Sequence, residues 1–545
     1  LAHDSFNNLT PRITPLCFAI GPHSIAHAPM KLASLTLLLL LAGLAWGQPP
    51  GFVTTAVARL AHVEQMQQKL GITREYLNNP SIDRIKVAVL DYGFEGVDGK
   101  RPYLPASTVV IEHYDRAFIV QNQLGDPDFS KPFEPGNTHG RSMAQTIWGI
   151  TGHRPEGPQF FLLNANGPTL FRRAVRYAME QRVDIILFSG VFEGAGNGDG
   201  RGFLNAAVRE AIASGIIWIN AAGNYGRRTY EGPVQTTATG ELRFPGRPDP
   251  NVLRFRNRLD ENTVTCTLTW NDYRETEDAG TLKDLDLYIE NEKGLIVGSS
   301  TLKQITGRQA QAGETRNPRE RVQLQDLPAG EYRIKIRTST PKLWNSLDRF
   351  RLLIVASRDE AADPKTGEPI DAVPFLDNNG KGEIYPPADN PLVLTVGDIT
   401  LASSSGATAD HRRKPDILLE DARATFTNGL SSTGASNAAA YLAGMTVLLK
   451  AAEPRLSTSD MLALAHPIIT KTSTTVRRSL ASSPVVPPNA LKSSSRLPPL
   501  QPTITLNTPG SANRPPFKDP WKMPARQQLH ERVNTKYTRS TSLPP

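Results

Sequence analysis

Three residues in this chain of 545, a carboxylate, an imidazole and a hydroxyl, are of types that do chemistry together, and each stands at the end of a regular element. Asp91 follows the run Ile85-Lys86-Val87-Ala88-Val89-Leu90 and precedes Tyr92-Gly93-Phe94. His139 heads a helical stretch in Asn137-Thr138-His139-Gly140-Arg141-Ser142. Ser436 opens a run of small residues, Gly434-Ala435-Ser436-Asn437-Ala438-Ala439-Ala440, where a substrate can come close. Each has a plainer reading when taken singly. Asp91 could simply form a turn, His139 could cap a helix, and Ser436 is a good N-cap residue. Taken together, a carboxylate, an imidazole and a hydroxyl are the parts needed to activate a nucleophile and stabilise the imidazolium that forms. A fourth segment, Ile217-Trp218-Ile219-Asn220-Ala221-Ala222-Gly223-Asn224, is a strand running into a turn that presents an Asn side chain.

The elements around these residues alternate. Short β-branched or apolar runs at 85–90, 159–163, 183–188 and 216–219 have the composition of buried parallel strands. Helical stretches at 142–148, 170–181 and 204–213 fall between them. That alternation predicts an α/β fold, a parallel sheet with helices on both faces, and functional groups gather at the carboxyl ends of such strands. From about 250 to 357 the pattern is all-β, with strand-like runs between turn signals such as Pro328-Ala329-Gly330. This reads as an inserted β-sandwich domain. The α/β pattern resumes at Leu392 and ends in a long apolar helix from about Ser436 to Ala452.

The motifs resemble those of the subtilisin-like serine peptidases (subtilases), with chain order Asp, His, Ser. The matching segments are Asp91-Tyr92-Gly93, His139-Gly140-Arg141, Ala222-Gly223-Asn224 and Gly434-Ala435-Ser436-Asn437-Ala438. Supporting matches are Val183 to Ser189, Tyr385-Pro386-Pro387-Ala388, Val393 to Gly397 and Lys414-Pro415-Asp416-Ile417. The resemblance covers roughly 80–230 and 380–470, which implies a peptidase domain split by the insert. It implies that Ser436 attacks a peptide carbonyl, His139 moves the proton and Asp91 orients His139. Asn224 would then stabilise the oxyanion. Ser189, Gly190, Ala221 and Ala222 resemble the walls of the first specificity pocket, and their small size suggests a roomy apolar one. Tyr92, Arg141, Ala435 and Asn437 depart from the family's pattern, which implies a reshaped cleft. The alternative reading is a catalytically silent subtilase fold that binds peptides or partners.

Composition bounds the remaining possibilities. The formal net charge is +8, but from Val476 onward eleven Lys and Arg face only Asp519 and Glu531. The rest of the chain is therefore nearly neutral, which gives no reason to expect nucleic acid as a partner. The 475–545 tail is rich in Pro, Ser and Arg and reads as disordered. Met30-Lys31 opens an apolar stretch with Leu37 to Leu41, followed by Ala45-Trp46-Gly47, so 30–47 reads as a signal peptide. Residues 1–29 are then expected to lie outside the mature protein, which would be secreted, extracellular or periplasmic, with no membrane association after cleavage. Two cysteines, Cys17 and Cys266, exclude a disulfide framework. The expected partners are protein or peptide substrates, and the expected state is a monomer. The chemistry requires no cofactor. Structural Ca²⁺ is considered only for Asp284 and Asp286 in the insert, where hard oxygen ligands cluster.

Overall fold

The apolar runs pair into one parallel sheet whose strands, apart from the half-buried edge strand at Val109–Ile111, are buried on both faces. The computed structural model describes residues 62–471 apart from 96, 98–103, 113, 115–135, 248, 277–278 and 426–430. The expected signal segment 30–47, residues 1–29, Cys17 and the basic tail 475–545 lie outside the described residues. The first strands are β1 (Lys86–Asp91), β2 (Val109–Ile111), β3 (Gln159–Asn164), β4 (Ile185–Phe188) and β5 (Ile217–Ala221). The insert contributes β6 (Thr229–Pro233), β7 (Leu253–Asn257), β8 (Asn262–Trp270), β9 (Asp286–Asn291), β10 (Ile296–Ser300), β11 (Arg319–Leu327), β12 (Gly330–Arg337) and β13 (Arg349–Ala356). After it come β14 (Leu394–Asp398) and β15 (Ile417–Leu419). The parallel sheet runs β2-β3-β1-β4-β5-β14-β15.

Helices α1 (His139–Ile150), α2 (Pro168–Glu180), α3 (Phe203–Ala213), α4 (Ala435–Ala452) and α5 (Thr458–Lys471) accompany the sheet. Strand side chains alternate between two cores, as the pleat requires. Val87, Val89, Ile185, Leu187, Ile217 and Ile219 join one core with residues of α1 and α4. Ala88, Leu90, Ile186, Phe188, Ile216 and Trp218 join the other with residues of α2 and α3. Helices thus cover both faces, as the α/β alternation predicts. Helix α4 is buried nearly all round, from Ala435 to Ala451, because it lies against the sheet and α1 together. Apolar residues of 62–70, Val63, Met66 and Leu70, complete that side of the core.

The insert is an antiparallel β-sandwich. One sheet runs β10-β9-β12-β7 and the other β11-β8-β13-β6. Val264, Cys266, Leu268, Val322, Ile334, Ile336, Leu352 and Ile354 meet in its core. Its first strand, β6, pairs with β13 and lies upstream of the 250–357 segment that reads as all-β. Burial pushes the Cys266 thiol up to about 12, so it behaves as a small apolar side chain.

Candidate active site

Asp91 is the last residue of β1 and is 2% exposed. Its two carboxylate oxygens have different partners. Oδ1 accepts the backbone N–H of Tyr92 (2.8 Å) and of Gly93 (3.1 Å), which makes the turn after the strand. Oδ2 lies 2.7 Å from Nδ1 of His139. The turn reading and the functional reading of Asp91 therefore describe different atoms of one side chain.

His139 is the first residue of α1, and its backbone N–H donates to Asn137 Oδ1 at 2.8 Å. Its imidazole does not cap the helix; it turns to Asp91 and remains about one-third exposed. Burial alone would disfavour the charged imidazole. The Asp91 charge and hydrogen bond outweigh that and raise the His139 pKa above its ordinary value. The approach depends on Gly140. A Cβ there would sit 2.5 Å from Asp91 Cβ and 2.5 Å from the Phe94 ring. Gly140→Ala is expected to force these elements apart at a cost of about 1–3 kcal/mol, read as a lower midpoint in thermal unfolding. An unchanged midpoint would show that the contact relaxes freely. Tyr92, which departs from the family's pattern, stacks on the His139 ring with centroids 6.5 Å apart. Arg141 donates from Nη1 to the Glu95 carbonyl (2.7 Å), so its head group is held by backbone.

Ser436 is the second residue of α4, whose N-cap is Gly434, so the serine does not cap the helix. Its hydroxyl donates to the carbonyl oxygen of Ser189 at 3.1 Å. No hydrogen bond links Ser436 to His139 among the described residues. Asn224 Oδ1 accepts the Ala435 backbone N–H at 3.1 Å. That N–H can only donate, so it fixes the orientation of the Asn224 amide and leaves Nδ2 to act as a donor elsewhere. The preceding Gly223 has φ +99°, a backbone region open to glycine, and this turn brings Asn224 back to the start of α4. The loop is pinned from behind. Tyr225 N–H donates to Ser404 Oγ (3.0 Å), while the buried Glu383 accepts from Arg227 N–H (2.9 Å) and Ser405 N–H (2.9 Å).

Ser189 and Gly190 follow β4, and Ala221 and Ala222 close β5, its neighbour in the sheet. The Ser189 carbonyl accepts the Ser436 hydroxyl directly. Ala221 (1% exposed) and Ala222 (0%) face into the core beside α4 and offer no open wall. Tyr225, which no motif singles out, follows Asn224 directly and packs edge-on against Tyr385 with ring centroids 5.6 Å apart; its place comes from loops converging in space.

Two other places bear on ligands. A cavity of about 430 Å³ lies between the sandwich and the peptidase-like part, lined among others by Asn197, Asp199, Glu231, Arg349 and His411. It contains none of the triad residues, and Arg349 and Glu231 already pair at 3.0 Å. In the sandwich, Asp284 Oδ2 accepts from Ser339 Oγ (3.0 Å). Burial and the Asp284 charge push Asp286 up to about 6. Calcium takes six to eight oxygens. Among the described residues no three His, Cys, Asp or Glu side chains gather where they could hold a metal ion.

No protein-family model and no curated protein sequence matches the chain. Solved structures similar to it are subtilisin-like proteases. The CspB protease of Clostridium perfringens is 15% identical, with a TM-score of 0.47, 78% of this chain covered and 94% of that one. A cold-adapted subtilisin-like serine proteinase is 13% identical, with a TM-score of 0.35 and coverages of 78% and 97%. The prenylagaramide maturation protease PagA is 13% identical, with a TM-score of 0.34 and coverages of 80% and 97%. These scores and identities are low. The fold rests on the strand order and the two helical layers, and the site rests on its own geometry.

Proposed function

We propose that this chain is a serine endopeptidase of the subtilisin type, using Asp91, His139 and Ser436 on protein or peptide substrates. The observation that carries the reading is the 2.7 Å contact between the buried Asp91 carboxylate and His139 Nδ1, made at the same sheet edge as the start of α4. With Nδ1–H held by Asp91, Nε2 becomes the basic nitrogen. Ser436 rotates its hydroxyl from the Ser189 carbonyl to Nε2, loses its proton there and attacks the substrate carbonyl. His139 then passes that proton to the leaving amine, and water completes hydrolysis of the acyl-enzyme by the same route. The developing oxyanion is met by Asn224 Nδ2 and by the Ser436 N–H in the first turn of α4, where the helix dipole favours negative charge. Asn224→Ala is expected to lower kcat about 10²- to 10³-fold with little change in KM. An equal loss in KM alone would move Asn224 from the transition state to ground-state binding.

The direct test is a fluorophosphonate probe, which labels only an activated serine. The full chain should be labelled, and Ser436→Ala and His139→Ala should not. A folded chain that stays unlabelled would overturn the peptidase reading in favour of peptide binding without catalysis. Secretion is part of the same proposal and rests on the 30–47 segment. Among the described residues, no helix is long and apolar enough to cross a membrane.

A further inference from the structure

Asn224 stands in the turn 222–228 that leaves β5, and its side-chain amide must meet the start of α4, 211 residues further along the chain. A second loop, 402–405, follows β14, the neighbour of β5 in the sheet, and holds that turn. Ser404 N–H donates to the Gly223 carbonyl (2.9 Å) and Gly226 N–H to the Ala402 carbonyl (3.0 Å), so backbone bonds flank Asn224 on both sides. Between them, Ser404 Oγ accepts from Tyr225 N–H at 3.0 Å. The next link is a side chain. Glu383 is 4% exposed and gives one carboxylate oxygen to each loop. Its Oε1 accepts from Arg227 N–H and its Oε2 from Ser405 N–H, both at 2.9 Å. Arg227 has φ +62°, in the left-handed region that residues other than glycine enter uncommonly. The turn therefore takes a shape that its own sequence does not favour, and Glu383 holds it there.

We infer that Glu383, with Ser404, is a positioning residue for the oxyanion donor: it clamps the Asn224 turn to the 402–405 loop and so fixes where the amide stands relative to Ser436. A carboxylate suits this task because both of its oxygens only accept. A glutamine of the same shape offers one oxygen and one amino group. One of the two backbone N–H groups would then face another donor in a buried place, which is costly. The turn would give way at Arg227, three residues from Asn224. An oxyanion donor works only at hydrogen-bond distance from the charge that develops in the transition state. A small displacement therefore costs rate far more than it costs substrate binding. Glu383 itself bonds to backbone of the two loops, so its effect reaches the reaction through Asn224.

The inference rests on the peptidase reading, and its test separates the two. Turnover of dye-quenched casein would be measured for the full chain, Glu383→Gln, Asn224→Ala and the double variant, with active sites counted by exhaustive fluorophosphonate labelling. Glu383→Gln should lower kcat about 10- to 100-fold with KM unchanged, and should cost almost nothing more once Asn224 is replaced. A kcat that does not fall would overturn the role of Glu383. So would a loss of equal size in both backgrounds, because a general weakening of the fold acts in each. If Glu383→Gln does not fold, Ser404→Ala carries the same cycle, since it removes only the acceptor of Tyr225 N–H. A kcat loss of about 3- to 10-fold that needs Asn224 upholds the clamp, and no loss sinks it. If the parent does not label, the peptidase reading falls, and deuterium uptake over 222–228 and 434–437 decides the clamp alone. Faster uptake of both segments in Glu383→Gln upholds it, and unchanged uptake sinks it.

Discussion

Replacing Ser436 by alanine is expected to slow peptide hydrolysis by about 10⁴- to 10⁶-fold while barely moving the thermal midpoint. The two readouts separate chemistry from folding. The lost hydroxyl makes one hydrogen bond, to the Ser189 carbonyl, worth about 1 kcal/mol net. The helix it sits on is held by apolar burial from Ala435 to Ala451 and by the Asn224 bond to Ala435 N–H, none of which the substitution touches. A large drop in rate with an intact unfolding transition would place the whole effect on the nucleophile. A variant that keeps most of its activity would mean that another group attacks, and that the short run of small residues around Ser436 serves packing alone.

Asp91→Asn should cost about 10⁴-fold in kcat and also change the shape of the pH profile. In the parent, His139 must be neutral to take the serine proton. Its pKa is raised by Asp91 against the opposing effect of burial, so kcat/KM should climb with pH through a midpoint above 6.5, the ordinary imidazole value. An Asn at position 91 removes the charge that favours the imidazolium, and burial then acts in the other direction. The residual activity of the variant should therefore reach its plateau at lower pH than the parent does. Rates measured across pH for both proteins check the sign. A midpoint that stays in place, with activity lost, would mean that Asp91 matters for geometry rather than for its charge. A midpoint that moves up would contradict the cause assigned to the His139 shift.

The stacking of Tyr92 on His139 shows why motif departures alone say little about a cleft. As a sequence feature, Tyr92 is a bulky residue where the family has Thr or Ser. In the fold its backbone N–H still serves Asp91 Oδ1, as any residue there would, and only its ring adds something new beside the imidazole. Arg141 is similar. Its charge looks intrusive in sequence, yet the guanidinium reaches back to the Glu95 carbonyl.

The sequence by itself determined the parts that depend on local pattern. The continuous apolar stretches 87–90 and 185–188 are the kind buried on both faces in a helix-covered parallel sheet, and that is where β1 and β4 lie. The types and order of Asp91, His139 and Ser436, and the Gly223-Asn224 turn, were legible because each ends an element whose period is visible in the chain. The insert was legible as β but not at its true start, because Thr229–Pro233 is a strand only by virtue of pairing with Arg349–Ala356, more than a hundred residues away. Only the tertiary structure decided which Asp91 oxygen faces His139, that the Ser436 hydroxyl rests on the Ser189 carbonyl, and that Ala221 and Ala222 turn inward. Those facts depend on how separate strand ends are brought into register at one edge of the sheet, a relation that sequence spacing does not encode.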